Sequence, residues 1–374
     1  MTYPAVSLDL LHLGNKLYQL HTPTVILELS NDYLDMTGIF TYRNFALRDT
    51  PSLNGQIAVI TGGQAGIGRE ITEVLLRNGA QKVFVIARSK DKFLTAEEDW
   101  RRRVASFITD DKPRAEFVAC DLSDINEVRA AADKIKSRTG KIHILVCNAG
   151  LGVPYEYQVS SQGIDRVFAA NCVGHQALVA MLLPCLKRAV PSSPNGARVV
   201  VTSSSLHMCC WNLDLGLLKT QSRVKWPALY DGVWRYGRSR LGNILFAKEL
   251  SRRLMRDSDS ASNRIYVNSF FPGNIVTDQW HDWKSYFGSC IGNLMRLGGS
   301  WFGQSVEDGA ATAVYLAASE EVSKANSRGR YFVPIATPCD PSSRAKDVTL
   351  GIRLWDWIDG QITDTLGPNW KEQK

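Results

Sequence analysis

From Gln56 onward, short runs rich in β-branched residues alternate with stretches whose apolar residues recur at helical spacing. The runs Ile57 to Thr61, Lys82 to Ala87, Ala115 to Cys120, Ile142 to Cys147, Ala197 to Ser203, Arg264 to Phe270 and Arg330 to Val333 predict strands. Between them, Ile67 to Asn78, Asp91 to Ile108, Ser123 to Arg138, Ile164 to Val190, Trp234 to Met255 and Val306 to Ala318 predict helices. Such alternation implies βαβ units and an α/β fold: a doubly wound parallel sheet of the Rossmann type, with helices on both faces. Two intervals without the rhythm, Met208 to Gly232 and Thr277 to Gln304, predict long loops and hold many of the aromatic residues. Residues 1–52 also lack it, with apolar clusters around Leu8 to Leu13 and Val25 to Leu29. They read as an N-terminal extension of short helices packing on a single domain, 53–374.

Composition changes this picture little. Hydrophobic residues make up 44% and charged residues 22% of the 374, ordinary for a globular protein with a sizeable core. The net charge of +7 is spread along the chain, and the Arg101-Arg102-Arg103 cluster stands beside Glu97, Glu98 and Asp99. A solvated helix face explains that cluster better than nucleic-acid contact, so no nucleic-acid partner is expected. A mild positive field still suits an anionic cofactor or an anionic membrane surface. The eight cysteines form no Cys-x-x-Cys pair, so no metal site is expected, and Cys120, Cys147 and Cys172 fall in apolar segments as free thiols. With no Asn-x-Ser/Thr sequon, no basic-flanked apolar leader and no run of roughly 20 apolar residues, the expected setting is cytoplasmic. Peripheral contact with an intracellular membrane and assembly as a homo-oligomer stay open.

Thr61-Gly62-Gly63-Gln64-Ala65-Gly66-Ile67-Gly68 follows the first strand and opens a helix. Glycines there permit a tight turn and close backbone approach to a pyrophosphate, and a helix N-terminus offers free N–H groups to an anion. Gly62, Gln64, Gly66, Ile67 and Gly68 are therefore candidate cofactor contacts. Where the second strand ends, Arg88-Ser89 stands in place of the acidic residue that would bind a free ribose 2′-hydroxyl. Arginine suits a 2′-phosphate, and Arg69 is placed to help, so NADP(H) is expected over NAD. Far downstream, Tyr236 and Arg240 lie four apart on a predicted helix and share a face. The guanidinium can then lie near the phenol and stabilise its ionised form.

Glycine turn and tyrosine-cation pair together resemble the short-chain dehydrogenase/reductases, over roughly Leu53 to Val333. The segment from Arg240 to Leu250 and the tail Tyr331 to Trp357 look like the retinol-dehydrogenase-like branch and its fungal relatives, and these point to secondary metabolism. Asn148-Ala149-Gly150 matches the family's motif after the fourth strand, Asp121-Leu122 the pair that contacts adenine, and Pro272 to Thr277 the loop holding carboxamide and pyrophosphate, which adds Asp121, Asn148, Ile275 and Thr277 to the cofactor set. The resemblance implies a catalytic set of Asn171, Ser204, Tyr236 and Arg240, with Ser203 the rival to Ser204 and Arg240 standing where the family has lysine. Tyr236 would give a proton to the forming alkoxide while Ser204 hydrogen-bonds the same oxygen. Guanidinium stays protonated, so a relay through a neutral lysine is closed to Arg240. His207 follows the catalytic strand, whereas His143 and His175 sit in apolar segments and need no role.

The aromatics from Trp211 to Trp234 and from Trp280 to Phe302 lie on segments that flank the substrate in this family. They suit a bulky apolar ketone, aldehyde or alcohol. The expected activity is therefore NADP(H)-dependent oxidoreduction. The alternatives are a non-redox dehydratase, isomerase or cyclase on the same fold, and a catalytically silent NADP-binding protein.

Overall fold

The computed structural model describes residues 43–105, 107–109, 112–154, 156–220, 228–275 and 304–371. Thr277, Trp226 and the aromatics from Trp280 to Phe302 lie outside them, as does most of the extension. Its described end, Arg43 onward, packs on the main body: Arg43 pairs with Asp308 at 2.7 Å and Phe45 meets Tyr315 edge-on at 5.6 Å.

The strands are β1 (Ile57–Thr61), β2 (Lys82–Ala87), β3 (Ile108–Thr109), β4 (Lys112–Pro113), β5 (Ala115–Ala119), β6 (Ile144–Cys147), β7 (Ala197–Thr202), β8 (Ile265–Phe270), β9 (Tyr331–Val333) and β10 (Thr337–Cys339). Eight of them form one sheet in the order β10-β9-β8-β7-β6-β1-β2-β5, all parallel except β10, which runs antiparallel to β9. The helices are α1 (Gly66–Arg77), α2 (Lys90–Arg103), α3 (Ile125–Arg138), α4 (Gly174–Ala189), α5 (Ala228–Arg256), α6 (Val306–Ala318) and α7 (Val348–Leu366). Two apolar cores result: α3, α4, α5 and α7 bury residues on one face of the sheet and α1, α2 and α6 on the other. Central strands such as β6 and β7 are buried along their whole length, which is why they read as continuous apolar runs.

The strand order reverses between β1 and β6, so the loops leaving these two strands diverge and open a crevice at their carboxyl ends. Several elements depart from the periodicity. The second helix stops at Arg103, not Ile108, because Val104 turns extended and the small β3-β4 hairpin follows. Helix α5 begins at Ala228, inside the interval expected as a loop, and β10 and α7 were not foreseen. Among the described residues one run does have the length and apolarity of a membrane span, the 27-residue helical stretch Arg166–Ser192, which contains an 18-residue window of mean hydropathy 1.5. Its apolar window is 83% buried inside the protein, so it serves as the core helix under the sheet. That stretch contains a π-turn, Ala169–Val173, just before α4.

Candidate active site

The cleft begins at the glycine turn. Gly62 and Gly66 take φ of +69° and +51°, conformations that favour glycine. At Gly68 a Cβ would overlap the Gly62 carbonyl oxygen, so α1 can approach the turn this closely only without a side chain there. The N-cap of α1 is Ala65, which makes no side-chain cap, whereas α2, α3 and α6 are capped by Ser89, Asp124 and Ser305. Its first N–H groups are therefore left for a ligand, the arrangement a phosphate needs.

From the turn a cleft of about 300 Å³ runs past Arg88 and Asp121, along Asn148 to Leu151, to Thr202, Ser203, Tyr236 and Arg240. Gly62, Gln64, Gly66, Ile67 and Gly68 line its first part. Arg88 lies 3.9 Å from Asp121, and Arg166 bonds the same carboxylate at 3.2 Å. Burial pushes the Asp121 carboxyl up, but two hydrogen bonds from Ser123 and the two guanidiniums outweigh it and hold it below the usual range. Arg69 turns to Asp99 of α2 and is not on the cleft wall, so the expectation that it joins Arg88 is not met.

At the far end, Arg240 is 3% exposed. Its guanidinium lies over the face of the Tyr236 ring, 4.9 Å from the centroid, and donates to the Thr202 carbonyl at 3.1 Å. A Cβ on Gly150 would overlap its terminal nitrogen, so glycine in the Asn-Ala-Gly loop makes the room this bulky cation needs. Of the two candidate serines, Ser203 lines the cleft but its hydroxyl donates to the Arg240 carbonyl at 2.8 Å. Ser204, the serine chosen from the sequence, is not on the cleft wall; its Oγ accepts from Leu206 N at 3.2 Å, and its proton has no acceptor among the described residues.

Asn171 lies behind the cleft wall. Its amide accepts from Leu151 N at 2.7 Å and donates at 3.0 Å both to Leu151 O and to Ser239 Oγ. Ser239 in turn donates to the Tyr236 carbonyl at 2.7 Å, so Asn171 positions the tyrosine's helical turn and the loop after Gly150. Ile275 is buried beside Gly309 of α6 rather than on the cleft, and Thr277 falls outside the described residues.

Two histidines are wired into this site: His175, to which the sequence gives no role, and His207, which follows the catalytic strand. Buried His175 bonds the Asn171 carbonyl and the Thr61 hydroxyl, each at 2.9 Å. His207 bonds the Ser204 carbonyl at 2.7 Å and accepts from Ser342 N at 3.2 Å, which joins the carboxyl-terminal segment to the serine. Burial holds both rings below their usual pKa, His175 at about 4. A sequence signal existed for His175: four residues after Asn171 on a helix, its ring reaches the Asn171 carbonyl.

The short chain dehydrogenase family pattern matches residues 56–209, from the first strand through Ser204. A short-chain dehydrogenase/reductase of Armillaria gallica is 32% identical over 318 residues, covering 84% of this chain and 93% of that protein. The chain belongs to the short-chain dehydrogenase/reductase family. The short-chain dehydrogenase/reductase drtF of Aspergillus calidoustus is likewise 32% identical, over 83% of this chain and 95% of that one. Among solved structures, that of an uncharacterized protein from Mycobacterium paratuberculosis superposes with a TM-score of 0.61 at 25% identity, covering 85% and 97% of the two chains. As a short-chain dehydrogenase/reductase the chain is an enzyme of an oxidoreductase family, and its sheet and glycine turn are those of the family fold.

Proposed function

We propose that this short-chain dehydrogenase/reductase uses NADP(H) to reduce the ketone or aldehyde of a bulky apolar small molecule, or to oxidise the matching alcohol. We place it in the retinol-dehydrogenase-like branch and in secondary metabolism. The observation that carries the reading is one continuous cleft with the uncapped glycine turn at one end and Tyr236 stacked on Arg240 at the other. A dinucleotide is the ligand that needs both ends. The residues fit it: Gly62, Gly66 and Gly68 would let a pyrophosphate approach the backbone, and Arg240 is a buried cation at the end where the nicotinamide would lie, donating to the Thr202 carbonyl. Arg88 at the rim supports a 2′-phosphate.

Bound there, the cofactor supplies or takes up the hydride. The Tyr236 hydroxyl gives its proton to the carbonyl oxygen as charge develops on it, and the Ser204 hydroxyl donates a hydrogen bond to the same oxygen. Arg240 keeps its charge throughout, so it steadies the phenolate but passes on no proton, and water restores the phenol. Tyr236 packs with Val153, Val167 and, less buried, Leu151, Leu206 and Val233, an apolar surround that favours an apolar substrate.

The test is NADPH consumption with a panel of apolar ketones and aldehydes, beside NADPH and NADH titrations of the parent and of Arg88→Ala. Tyr236→Phe should lower turnover by about 10²-fold or more while the protein still binds NADPH. Product formed without NADPH consumption would favour the non-redox reading, to which the permanently charged Arg240 lends support. Equal affinity for NADH and NADPH, unchanged by Arg88→Ala, would reject the cofactor preference.

A further inference from the structure

We propose that His175 is a positioning residue of the cofactor site, joining Thr61 of the glycine turn to the Asn171 carbonyl so that the Asn148-Ala149-Gly150 loop and the catalytic helix keep one register. This rests on the reading of the cleft as an NADP(H) site. The bond pattern leaves the ring a single state. A carbonyl only accepts, so His175 Nδ1, 2.9 Å from Asn171 O, carries the hydrogen. In the neutral ring Nε2 is then bare and accepts the Thr61 hydroxyl proton at 2.9 Å. The rival acceptor for that proton, Val146 O, is farther, at 3.4 Å. With its proton so directed, Thr61 Oγ1 receives the backbone N–H groups of Asn148 and Ala149, each at 2.9 Å.

On the other side the path continues without a break. Asn171 donates to Ser239, and Ser239 to the Tyr236 carbonyl. Four side chains, those of Thr61 on β1, His175 on α4, Asn171 in the π-turn and Ser239 on α5, thus run from the cofactor turn to the Tyr236 backbone carbonyl, with the backbone of Asn171 as one link. Loss of the imidazole would leave the Thr61 hydroxyl to swing toward Val146, and the cleft wall at Asn148 and Ala149 would loosen. A ring that merely filled space would be replaceable by leucine without that effect.

The experiment compares NADPH titrations of the parent, His175→Leu, His175→Gln, Thr61→Val and the double variant Thr61→Val/His175→Leu, each checked by thermal melting. His175→Leu should weaken NADPH binding about tenfold, and His175→Gln, whose amide offers both a donor and an acceptor, should recover most of it. The double variant should bind no more weakly than His175→Leu, because the two groups act as one unit. Independently of any cofactor, nitrogen-15 spectra of the parent should show this ring neutral with its hydrogen on Nδ1. Leucine binding within about twofold of the parent, glutamine no better than leucine, additive losses, or an Nε2–H tautomer would each overturn the proposal. Should His175→Leu not fold, the tautomer and the glutamine variant still decide. A parent that binds no NADPH sinks the cofactor reading itself, an outcome the tautomer spectrum separates from failure of the hydrogen-bond path.

Discussion

Arg240 is held by its surroundings at the level of single atoms: the Thr202 carbonyl, the Tyr236 ring face and the bare Cα of Gly150. Gly150→Ala should therefore displace the guanidinium, raising the NADPH dissociation constant about tenfold, which titration would show; pairing it with Arg240→Lys, whose slimmer head clears the methyl, should restore part of the affinity. Buried His175 carries a pH signature. Its folded pKa is about 4, below the ordinary 6.5, so the unfolded chain takes a proton that the folded one refuses. This group's stabilisation is whole above pH 6.5 and is lost as pH falls from there toward 4, by roughly 3 kcal/mol in all. Between pH 7.5 and 5.5, urea midpoints of His175→Gln should accordingly drop less than the parent's, by about 1.4 kcal/mol in unfolding free energy. Equal drops would mean that the ring already titrates in the fold.

Helix α5 holds more than Tyr236 and Arg240. On its opposite side Arg235 and Arg238 converge on Asp165, all three buried, with Arg238 at 3.3 Å and Arg235 at 3.8 Å. Burial pushes the Asp165 carboxyl up and the Arg238 guanidinium down, so desolvation exceeds their attraction and the cluster specifies geometry more than it stabilises. Through it Arg238 also holds the Leu217 carbonyl and Arg235 the Glu156 carbonyl, which ties both flanking loops to the catalytic helix. Asp165→Asn would leave buried Arg238 without a counter-charge, whereas Arg235 keeps Asp231 at 2.9 Å, and should cost about 3 kcal/mol, read from urea unfolding. The sequence showed the seven parallel strands of the main sheet and most helices, but not β3, β4 or β10, because apolar periodicity is local and marks the longer elements. It misplaced the end of α2 and the start of α5, where chain direction is set by packing against distant elements rather than by neighbours in sequence.

At the scale of the whole molecule, α7 closes the face formed by α3, α4 and α5, burying Leu350, Leu354, Ile358 and Ile362. Just before it, Ser342 bonds His207 and through it the Ser204 carbonyl, so the carboxyl-terminal segment is part of the site's support. Removing residues 348–374 should expose that apolar face, and the truncated protein should bind a hydrophobic dye and aggregate, seen by fluorescence and light scattering. A truncated chain that stays monomeric and melts like the parent would show that α7 is dispensable. The sequence by itself determined the parallel core of the sheet, the glycine turn and the Tyr236-Arg240 spacing, because each is written in local pattern. Only the tertiary structure decided that Ser203 is tied to Arg240, that Asn171 works from behind the wall, and that His175 and His207 brace the site. Thr61 and His175 are 114 residues apart, and His207 and Ser342 are 135 apart. Hydrogen bonds across such separations exist only once the sheet has stacked its strands, so no local pattern of residues could announce them.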